Sequence, residues 1–282
     1  MRVIRSVKPM QRLALSARES KRLIGFVPTM GFLHEGHVSL MHVARRKIGP
    51  KGLLVVSIFV NPTQFAPHED LSSYPKDFDR DRKLCRAAGV DLIFAPEPEE
   101  IYPPNYSTFI EENSFSCGME GGSRPTHFRG VTTIVGKLFN IVQPHLAVFG
   151  AKDFQQAAII EKMVKDLSFP VQIIVSDTVR EPDGLAMSSR NKYLSPDERI
   201  QATVLHEALQ YASKMVKDGP VKRAELLEKI KQLIALRPAA QLDYVEFFNP
   251  ETLRVVQKVA RGTQMAIAVR LGKTRLIDNA RL

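Results

Sequence analysis

One stretch of this chain constrains its fold more than any other, the glycine-punctuated segment from Val27 to His37. A short apolar run, Leu23 to Val27, precedes it. The apolar residues that follow recur at helical spacing, at Leu40, Met41, Ala44 and Ile48. The pattern predicts a strand, a loop and a helix, the unit with which α/β proteins commonly bind phosphate. The free N–H groups and the dipole of the helix would face an anion there.

Two histidines stand at the entrance to this helix. His34 and His37 are three residues apart, so they share a helix face and could both donate hydrogen bonds to one anion. A lone histidine near a helix start is more often a partly exposed polar residue, and it is the pair that favours an anion site. The sequence also resembles the zinc motif His-Glu-x-x-His, but its histidines are one residue too close and no third ligand is evident, so structural zinc is not favoured.

Length and composition limit the class of protein. With 282 residues and 44% hydrophobic content, the chain predicts one large domain or two unequal ones. It has no run of eighteen apolar residues, and its start lacks the features of a signal peptide, so we expect no membrane partner and a cytoplasmic location. Two cysteines, Cys85 and Cys117, are too few for a disulfide framework, which agrees with a reducing compartment.

The formal net charge of +10 indicates anionic partners. The one tight basic cluster is Arg45 to Lys47, and no basic stripe carries regularly spaced aromatic residues for stacking bases. The charge distribution therefore favours small phosphorylated or carboxylated ligands over nucleic acid.

Further apolar runs predict the rest of the fold. Four of them are predicted strands: Leu53–Val60, Val90–Ala95, Leu146–Phe149 and Val171–Ser176. Beyond Pro196 the chain is predicted to be helical to about Leu236, with a break at Gly219-Pro220. Strands are then predicted at Leu242–Phe248, at Met265–Leu271 and near Leu276. The order predicts an α/β protein, with a Rossmann-like parallel-sheet domain over residues 1–176 and a smaller α+β lid domain over residues 177–282. Residues 116–122 are predicted to be loop-like.

Polar residues follow several of these strands. Gln64 comes after a strand-ending proline and could orient a substrate or lie in a surface turn. Gly150 would let the backbone approach a ligand, and Lys152 could neutralise a phosphate. Asp153 could accept a hydrogen bond from ribose or only cap a helix. The loop from Val179 to Asn191 carries hydroxyl donors and a guanidinium suited to clamping a polyphosphate.

Two of these loops together resemble a known pair of signatures. His34-x-Gly36-His37 and Met187-Ser188-Ser189-Arg190 are similar to the HIGH and KMSKS motifs of the nucleotidyltransferase superfamily, whose members direct attack on the α-phosphate of ATP. Four longer motifs, in the same order, resemble the pantoate–β-alanine ligase family. They are Pro28-Thr29-Met30-Gly31, Asn61-Pro62-x-Gln64-Phe65, Gly150-x-Lys152-Asp153-x-Gln155-Gln156 and Asp183 to Asn191. The resemblance covers nearly the whole chain, as far as Asp243 to Glu246.

The resemblance implies a ligase that uses ATP as co-substrate, accompanied by Mg²⁺. Pantoate would attack the α-phosphate to give pantoyl adenylate and pyrophosphate, and the β-alanine amine would then displace AMP. Such chemistry depends on positioning and on neutralising charge rather than on a protein nucleophile. The family resemblance also implies a homodimer formed through the large domain.

The resemblance assigns roles position by position. The catalytic and phosphate-contacting residues would be His34, His37, Lys152, Ser188, Ser189 and Arg190. The other ATP-binding residues would be Pro28, Thr29, Met30, Gly31, Phe32, Leu33, Gly150, Ala151, Asp153, Val179 and Met187. Pantoate and β-alanine would meet Met30, Gln64, Tyr74 and Gln156, with Asp81 as a magnesium ligand. Arg124 and His127 match the family without an assigned step.

Departures from the family pattern leave alternatives open. Ala151 stands where the family often has glutamate, and Arg80 stands beside Asp81 where an acid is common. A different nucleotidyltransferase would share both phosphate loops but not Gln64 and Gln156. A class I aminoacyl-tRNA synthetase fragment would need an anticodon-binding region, and a basic binding protein could use the same loops without turnover.

Overall fold

In the computed structural model, which describes residues 1–67 and 69–282, the chain divides into two compact units. The larger unit comprises Met1–Ala151 and Gln155–Asp177, and the smaller unit comprises Lys152–Phe154 and Thr178–Leu282. Within the described ranges, no helix has both the length and the apolar character needed to cross a membrane.

A parallel sheet forms the centre of the larger unit. Its strands are β1 (Arg2–Ile4), β2 (Ile24–Thr29), β3 (Leu53–Ile58), β4 (Leu92–Phe94), β5 (Leu146–Gly150) and β6 (Gln172–Ser176). They lie in the order β1-β4-β3-β2-β5-β6, and every neighbouring pair is parallel. The strand order reverses between β2 and β5, and open α/β sheets bind ligands beyond the carboxyl ends of the strands at such a point.

Helices cover both faces of this sheet. They are α1 (Val7–Glu19), α2 (Glu35–Ile48), α3 (Phe78–Ala87), α4 (Pro98–Ile101), α5 (Met119–Ser123), α6 (His127–Val142) and α7 (Phe154–Asp166). Successive strand residues point to opposite faces. Phe26 accordingly packs with residues of α1 and α6, whereas Val27 packs with residues of α2 and α3. The predicted parallel-sheet α/β architecture is therefore confirmed.

The smaller unit combines helices with antiparallel strands. Its helices are α8 (Pro196–Gln201), α9 (Val204–Met215) and α10 (Arg223–Ala235). Its strands are β7 (Val221–Lys222), β8 (Ala240–Phe248), β9 (Lys258–Val259), β10 (Gln264–Leu271) and β11 (Thr274–Arg281). Strand β10 lies between β11 and β8, and β7 pairs with β9. Residues of α9 and α10 share one apolar core with the three-stranded sheet, as predicted for an α+β unit.

Some local elements differ from the sequence-based expectation. The edge strand β1 was not predicted, because a strand of three residues carries almost no periodic signal. Helix α1, of 13 residues, was not predicted either. Residues 116–122, predicted to be loop-like, contain the start of the short helix α5. Strand β3 ends at Ile58, two residues before the predicted end at Val60.

Candidate active site

The loop after β2 leads directly into α2 through a pair of histidines. His34 is the N-cap residue, and its Nδ1 atom accepts the N–H of Gly36 at 3.1 Å. The Nδ1 atom of His37 accepts the N–H of His34 at 3.3 Å, which completes a capping box. The backbone of the first helical turn therefore fixes the orientation of both imidazoles.

This capping arrangement also fixes the tautomer of each ring. Because Nδ1 of His34 and Nδ1 of His37 both accept, the neutral rings carry their protons on Nε2. The ring centroids are 4.1 Å apart at an interplanar angle of 43°. Two neutral N–H donors thus lie side by side at the positive end of a helix dipole, an arrangement suited to an anion.

A buried carboxylate on α3 holds the loop that precedes these histidines. Asp81 is 1% exposed, and its two oxygens accept the N–H groups of Phe32 and Leu33, each at 2.7 Å. Gly31 and Phe32 both have positive φ angles, 85° and 48°, and a side chain such as that of Phe32 rarely adopts this backbone conformation unless its surroundings hold it. The side chain of Arg80 donates to the carbonyl of Leu33 at 2.8 Å. The loop is thus anchored from both its amide and its carbonyl side.

Asp81, predicted as a magnesium ligand, lies in a buried and hydrogen-bonded setting. Burial raises the pKa of Asp81, against the opposing effect of the amides of Leu33 and Phe32, and its oxygens face these amides rather than solvent. Among residues 1–67 and 69–282, no group of three or more His, Cys, Asp or Glu residues could hold a metal ion. The surroundings of Asp81 support a role as loop anchor.

Gln64 lies in a 3₁₀ turn, Pro62–Gln64, that follows β3. It is buried, with 8% of its surface exposed, so it is not the surface-turn residue that the sequence allowed. Its Nε2 atom is 3.3 Å from the sulfur of Met30, and its Oε1 atom accepts from Asn61 at 3.1 Å. Two predicted substrate residues, Met30 and Gln64, therefore lie together at the ends of neighbouring strands.

Helix α6 approaches this turn at Gly130. A Cβ atom there would lie 2.5 Å from the carbonyl oxygen of Thr63 and 2.7 Å from the Cα atom of Gln64. Both contacts are with backbone, which cannot rotate away as a side chain can. Glycine is thus required at this position for α6 to pack against the turn.

Arg124 and His127, which had no assigned step, hold the backbone of Gln64. The guanidinium of Arg124 donates to both oxygens of Glu69 at 2.7 Å and to the carbonyl of Gln64 at 3.3 Å. The Nδ1 atom of His127 is 3.0 Å from the same carbonyl, to which it must donate. Burial alone would raise the pKa of Glu69, but the hydrogen bond and charge of Arg124 lower it overall. The ionised Glu69 thereby balances the charge of Arg124.

We expect His127 to make folding sensitive to acid. Burial, and then the charge of Arg124, lower its pKa from 6.5 to about 4. Between these two values the unfolded chain binds a proton that the folded chain does not, so stability should fall as the pH falls from 6.5 to 4. This residue alone contributes a slope of at most about 1.4 kcal/mol per pH unit.

The measurement is denaturant unfolding at several pH values between about 4 and 7, for wild type and His127→Gln. Glutamine keeps a donor and an acceptor but does not titrate. The variant should show the shallower dependence of unfolding free energy on pH, with the shared contribution of all other groups unchanged. If the unfolding free energy of the two proteins changed equally with pH, the buried imidazole would not be the source of the acid sensitivity.

The remaining predicted residues of the larger unit occupy different settings. Tyr74 is buried, and its ring packs edge-on against Phe65, which follows Gln64 in the chain, with centroids 6.0 Å apart. Gln155 is buried and bonds with its side-chain amide to residues 115, 118 and 120. The half-buried Gln156 is therefore the better placed of the two glutamines for a ligand. Gly150 and Ala151 lie at and just after the carboxyl end of β5.

Lys152 and Asp153 belong to the smaller unit. The Nζ atom of Lys152 is 3.5 Å from a carboxylate oxygen of Asp153. The carbonyl of Lys152 accepts from the amide of Asn279 at 2.8 Å, and Gln264 donates to the amide oxygen of Asn279 at 2.8 Å. Gln264 in β10 and Asn279 in β11 thus fix the backbone of Lys152. The sequence motifs indicated neither of them.

The loop that carries the KMSKS-like motif is tied down within the smaller unit. Arg180 makes a bidentate pair with the buried Asp278, at 2.6 and 3.0 Å. Asn191 donates to Glu181 at 2.8 Å, and Arg199 donates to the other oxygen of Glu181 at 2.6 Å. The two arms of the loop are therefore joined by charged and amide side chains.

The predicted nucleotide-binding residues of the loop lie close to these hydrogen-bonded side chains along the chain. The N–H of Met187 donates to the carbonyl of Val179 at 3.0 Å, so the two lie on adjacent arms. Ser188 caps the 3₁₀ turn Ser189–Tyr193, and its hydroxyl accepts the N–H of Arg190 at 3.2 Å. Ser188, Ser189 and Arg190 thus sit together at the start of one turn.

Comparison with known proteins gives matches along the whole chain. The family model described as pantoate-beta-alanine ligase matches residues 2–281. A pantothenate synthetase from Desulfatibacillum aliphaticivorans is 51% identical over 279 residues, which cover 99% of this chain and 98% of that protein. The crystal structure of pantothenate synthetase from Thermus thermophilus has a TM-score of 0.92 at 43% identity, covering 100% of this chain and 99% of that one.

A further solved structure is that of a pantoate-beta-alanine ligase from Francisella tularensis complexed with beta-gamma ATP and beta-alanine. Its TM-score is 0.82 at 34% identity, covering 100% of this chain and 97% of that one. The similarity therefore includes both compact units and every loop described above.

Proposed function

This chain belongs to the pantoate–β-alanine ligase family and joins pantoate to β-alanine with the use of ATP, and we propose how its own residues serve the two chemical steps. The observation that carries the proposal is the pair of imidazoles at the start of α2. Because the backbone fixes both rings, His34 and His37 are aligned as Nε2–H donors before any ligand binds. Preorganised donors of this kind stabilise charge that develops during reaction.

In the first step, we propose that a pantoate carboxylate oxygen forms a bond to the α-phosphorus of ATP while the bond to the β-phosphate oxygen breaks. The products are pantoyl adenylate and pyrophosphate. Negative charge gathers on the oxygens around the α-phosphorus, and His34 and His37 donate to these oxygens. Lys152, Ser188, Ser189 and Arg190 hold the β- and γ-phosphates and the leaving pyrophosphate, since they combine fixed charge with hydroxyl donors.

The remaining nucleotide contacts follow the family resemblance. The backbone of the loop after β2 shapes the floor of the nucleotide site. The ATP-binding residues assigned there, together with Ala151, are Pro28, Thr29, Met30, Gly31, Phe32 and Leu33. Gly150, Asp153, Val179 and Met187 receive the ribose and adenine.

We propose that pantoate lies against Met30 and Gln64, with Gln156 and Tyr74 completing its surroundings. The burial of Gln64 and the network behind its backbone support this assignment, because a fixed amide selects a ligand oxygen by position. In the second step the β-alanine nitrogen forms a bond to the acyl carbon. The bond from that carbon to the AMP oxygen breaks, and the nitrogen loses a proton.

Magnesium and a homodimer complete the proposal. We propose that Mg²⁺ accompanies ATP and takes most of its ligands from phosphate oxygens and water, with one or two protein carboxylates at most. No step above depends on a metal ligand from the protein. The family resemblance supports a homodimer, which light scattering of the purified protein tests.

The function is tested by pyrophosphate release from Mg-ATP in the presence of pantoate, first without and then with β-alanine. We expect pantoate-dependent exchange of label between pyrophosphate and ATP without β-alanine, because the first step is reversible. Continuous release should require β-alanine. Folded protein that releases no pyrophosphate with pantoate would contradict the proposal.

A further inference from the structure

We propose that Tyr102 is a positioning residue for pantoate, acting through Asn61 to set the orientation of the Gln64 amide. The inference rests on the proposed role of Gln64 in binding pantoate. Tyr102 follows α4 and is far from Gln64 in sequence, but its hydroxyl reaches the same buried hydrogen-bond network.

The relay begins with the amide of Asn61, which is 1% exposed. Its Nδ2 atom is 3.1 Å from the carbonyl oxygen of Gly130, and a carbonyl can only accept, so the nitrogen must face α6. The Oδ1 atom faces the other way and accepts from the hydroxyls of Tyr102 at 2.8 Å and Thr63 at 3.0 Å. The carbonyl of Gly130 therefore fixes the orientation of Asn61, and the two hydroxyls donate to the oxygen that this orientation presents.

The hydroxyl of Tyr102 is suited to this donor role. Burial raises its pKa to about 12, so the phenol keeps its proton at neutral pH. The ring is held independently of the hydroxyl, because Tyr106 packs against it edge-on at 5.1 Å and Lys137 lies 5.5 Å from its centroid. Removing the oxygen should therefore leave the ring in place.

The second hydrogen of the Asn61 amide sets the orientation of Gln64. The Nδ2 atom of Asn61 donates to Oε1 of Gln64 at 3.1 Å, so the Gln64 nitrogen is turned towards the sulfur of Met30 at 3.3 Å. A thioether is a weak acceptor. The Gln64 amide thus retains donor capacity for an oxygen of pantoate, whereas a reversed amide would present its carbonyl to an anionic substrate.

The test is the variant Tyr102→Phe, with Tyr106→Phe as the matched control. Both changes remove one phenolic oxygen from neighbouring rings, but of these two phenols only Tyr102 bonds to Asn61 in the described part of the chain. For Tyr102→Phe we expect the KM for pantoate to rise about three- to tenfold, the effect of one lost hydrogen bond. The KM for ATP and the thermal midpoint should match those of Tyr106→Phe.

Two more variants separate the possible failures. Thr63→Val removes the other hydroxyl donor to Asn61, and the relay predicts the same selective rise in the KM for pantoate, even if Tyr102→Phe folds poorly. An unchanged KM for pantoate in both, or an equal rise for ATP, would overturn the relay. Gln64→Ala tests the premise separately: if its KM for pantoate is also unchanged, the proposed pantoate pocket fails, not only the relay.

Discussion

His37→Ala is expected to lower the rate of pantoate-dependent pyrophosphate release about a hundredfold or more. The side chain supplies one of the two aligned Nε2–H donors, and loss of one preorganised donor to developing charge typically costs two to three orders of magnitude in rate. The same change removes the acceptor for the N–H of His34. We therefore expect a stability loss of about 1 kcal/mol from the broken cap. Single-turnover pyrophosphate release and thermal unfolding measure the two effects.

Two further variants separate chemistry from capping. His37→Glu keeps a side-chain acceptor at the third helical position, as in the common capping box, but cannot donate. It should unfold close to the wild-type midpoint and still lose activity. His42→Ala, an exposed change on the same helix, should leave both quantities unchanged. A folded His37→Glu variant with near wild-type release would show that His37 is not a donor in the first step.

The sequence predicted the framework of the larger unit because burial on both faces of a parallel sheet leaves continuous apolar runs. Strands β3 and β5 were recognisable for this reason. The three-residue β1 lies at the edge and pairs with one strand, so no comparable run marks it. The order of the strands, and hence the switch point between β2 and β5, is a tertiary property that the predicted elements alone did not give.

The candidate site was predictable where a residue acts through its own side chain near a strand end. His34 and His37 lie next to one another as their spacing predicted, and Met30 lies beside Gln64. The residues that orient these side chains were not predictable. Asn61 stood inside a quoted motif without a role, and Tyr102 approaches it only because the chain folds back after β4.

Asp81 shows why residue type alone did not give the role of a side chain. An acid in a polar segment near a nucleotide loop is compatible with a metal ligand, an exposed helix face or a buried anchor. Only its 1% exposure and its two bonds to the amides of Phe32 and Leu33 distinguish these possibilities. The distinction matters for the chemistry, because the loop that it anchors leads directly to His34.

Asp81→Asn is expected to lower the free energy of unfolding by about 2–4 kcal/mol. Hydrogen bonds to a charged acceptor contribute about 1.5–3 kcal/mol each, and an asparagine amide presents its NH₂ group to one of the two backbone N–H donors. Removing a buried charge offsets part of this loss, in keeping with the raised pKa of Asp81. Denaturant unfolding measures the change. Asp79→Asn, on the exposed side of the same helix, should have little effect.

Magnesium titration of the same variant separates an anchor from a metal ligand. If Asp81 holds the loop, Asp81→Asn should slow pyrophosphate release at every Mg²⁺ concentration, because His34 and His37 lose their fixed position. The Mg²⁺ concentration for half-maximal rate should not move. If Asp81 were a metal ligand, stability would stay near wild type and excess Mg²⁺ would restore the rate. A carboxylate that is only 1% exposed offers little access to a hydrated cation, so we expect the first result.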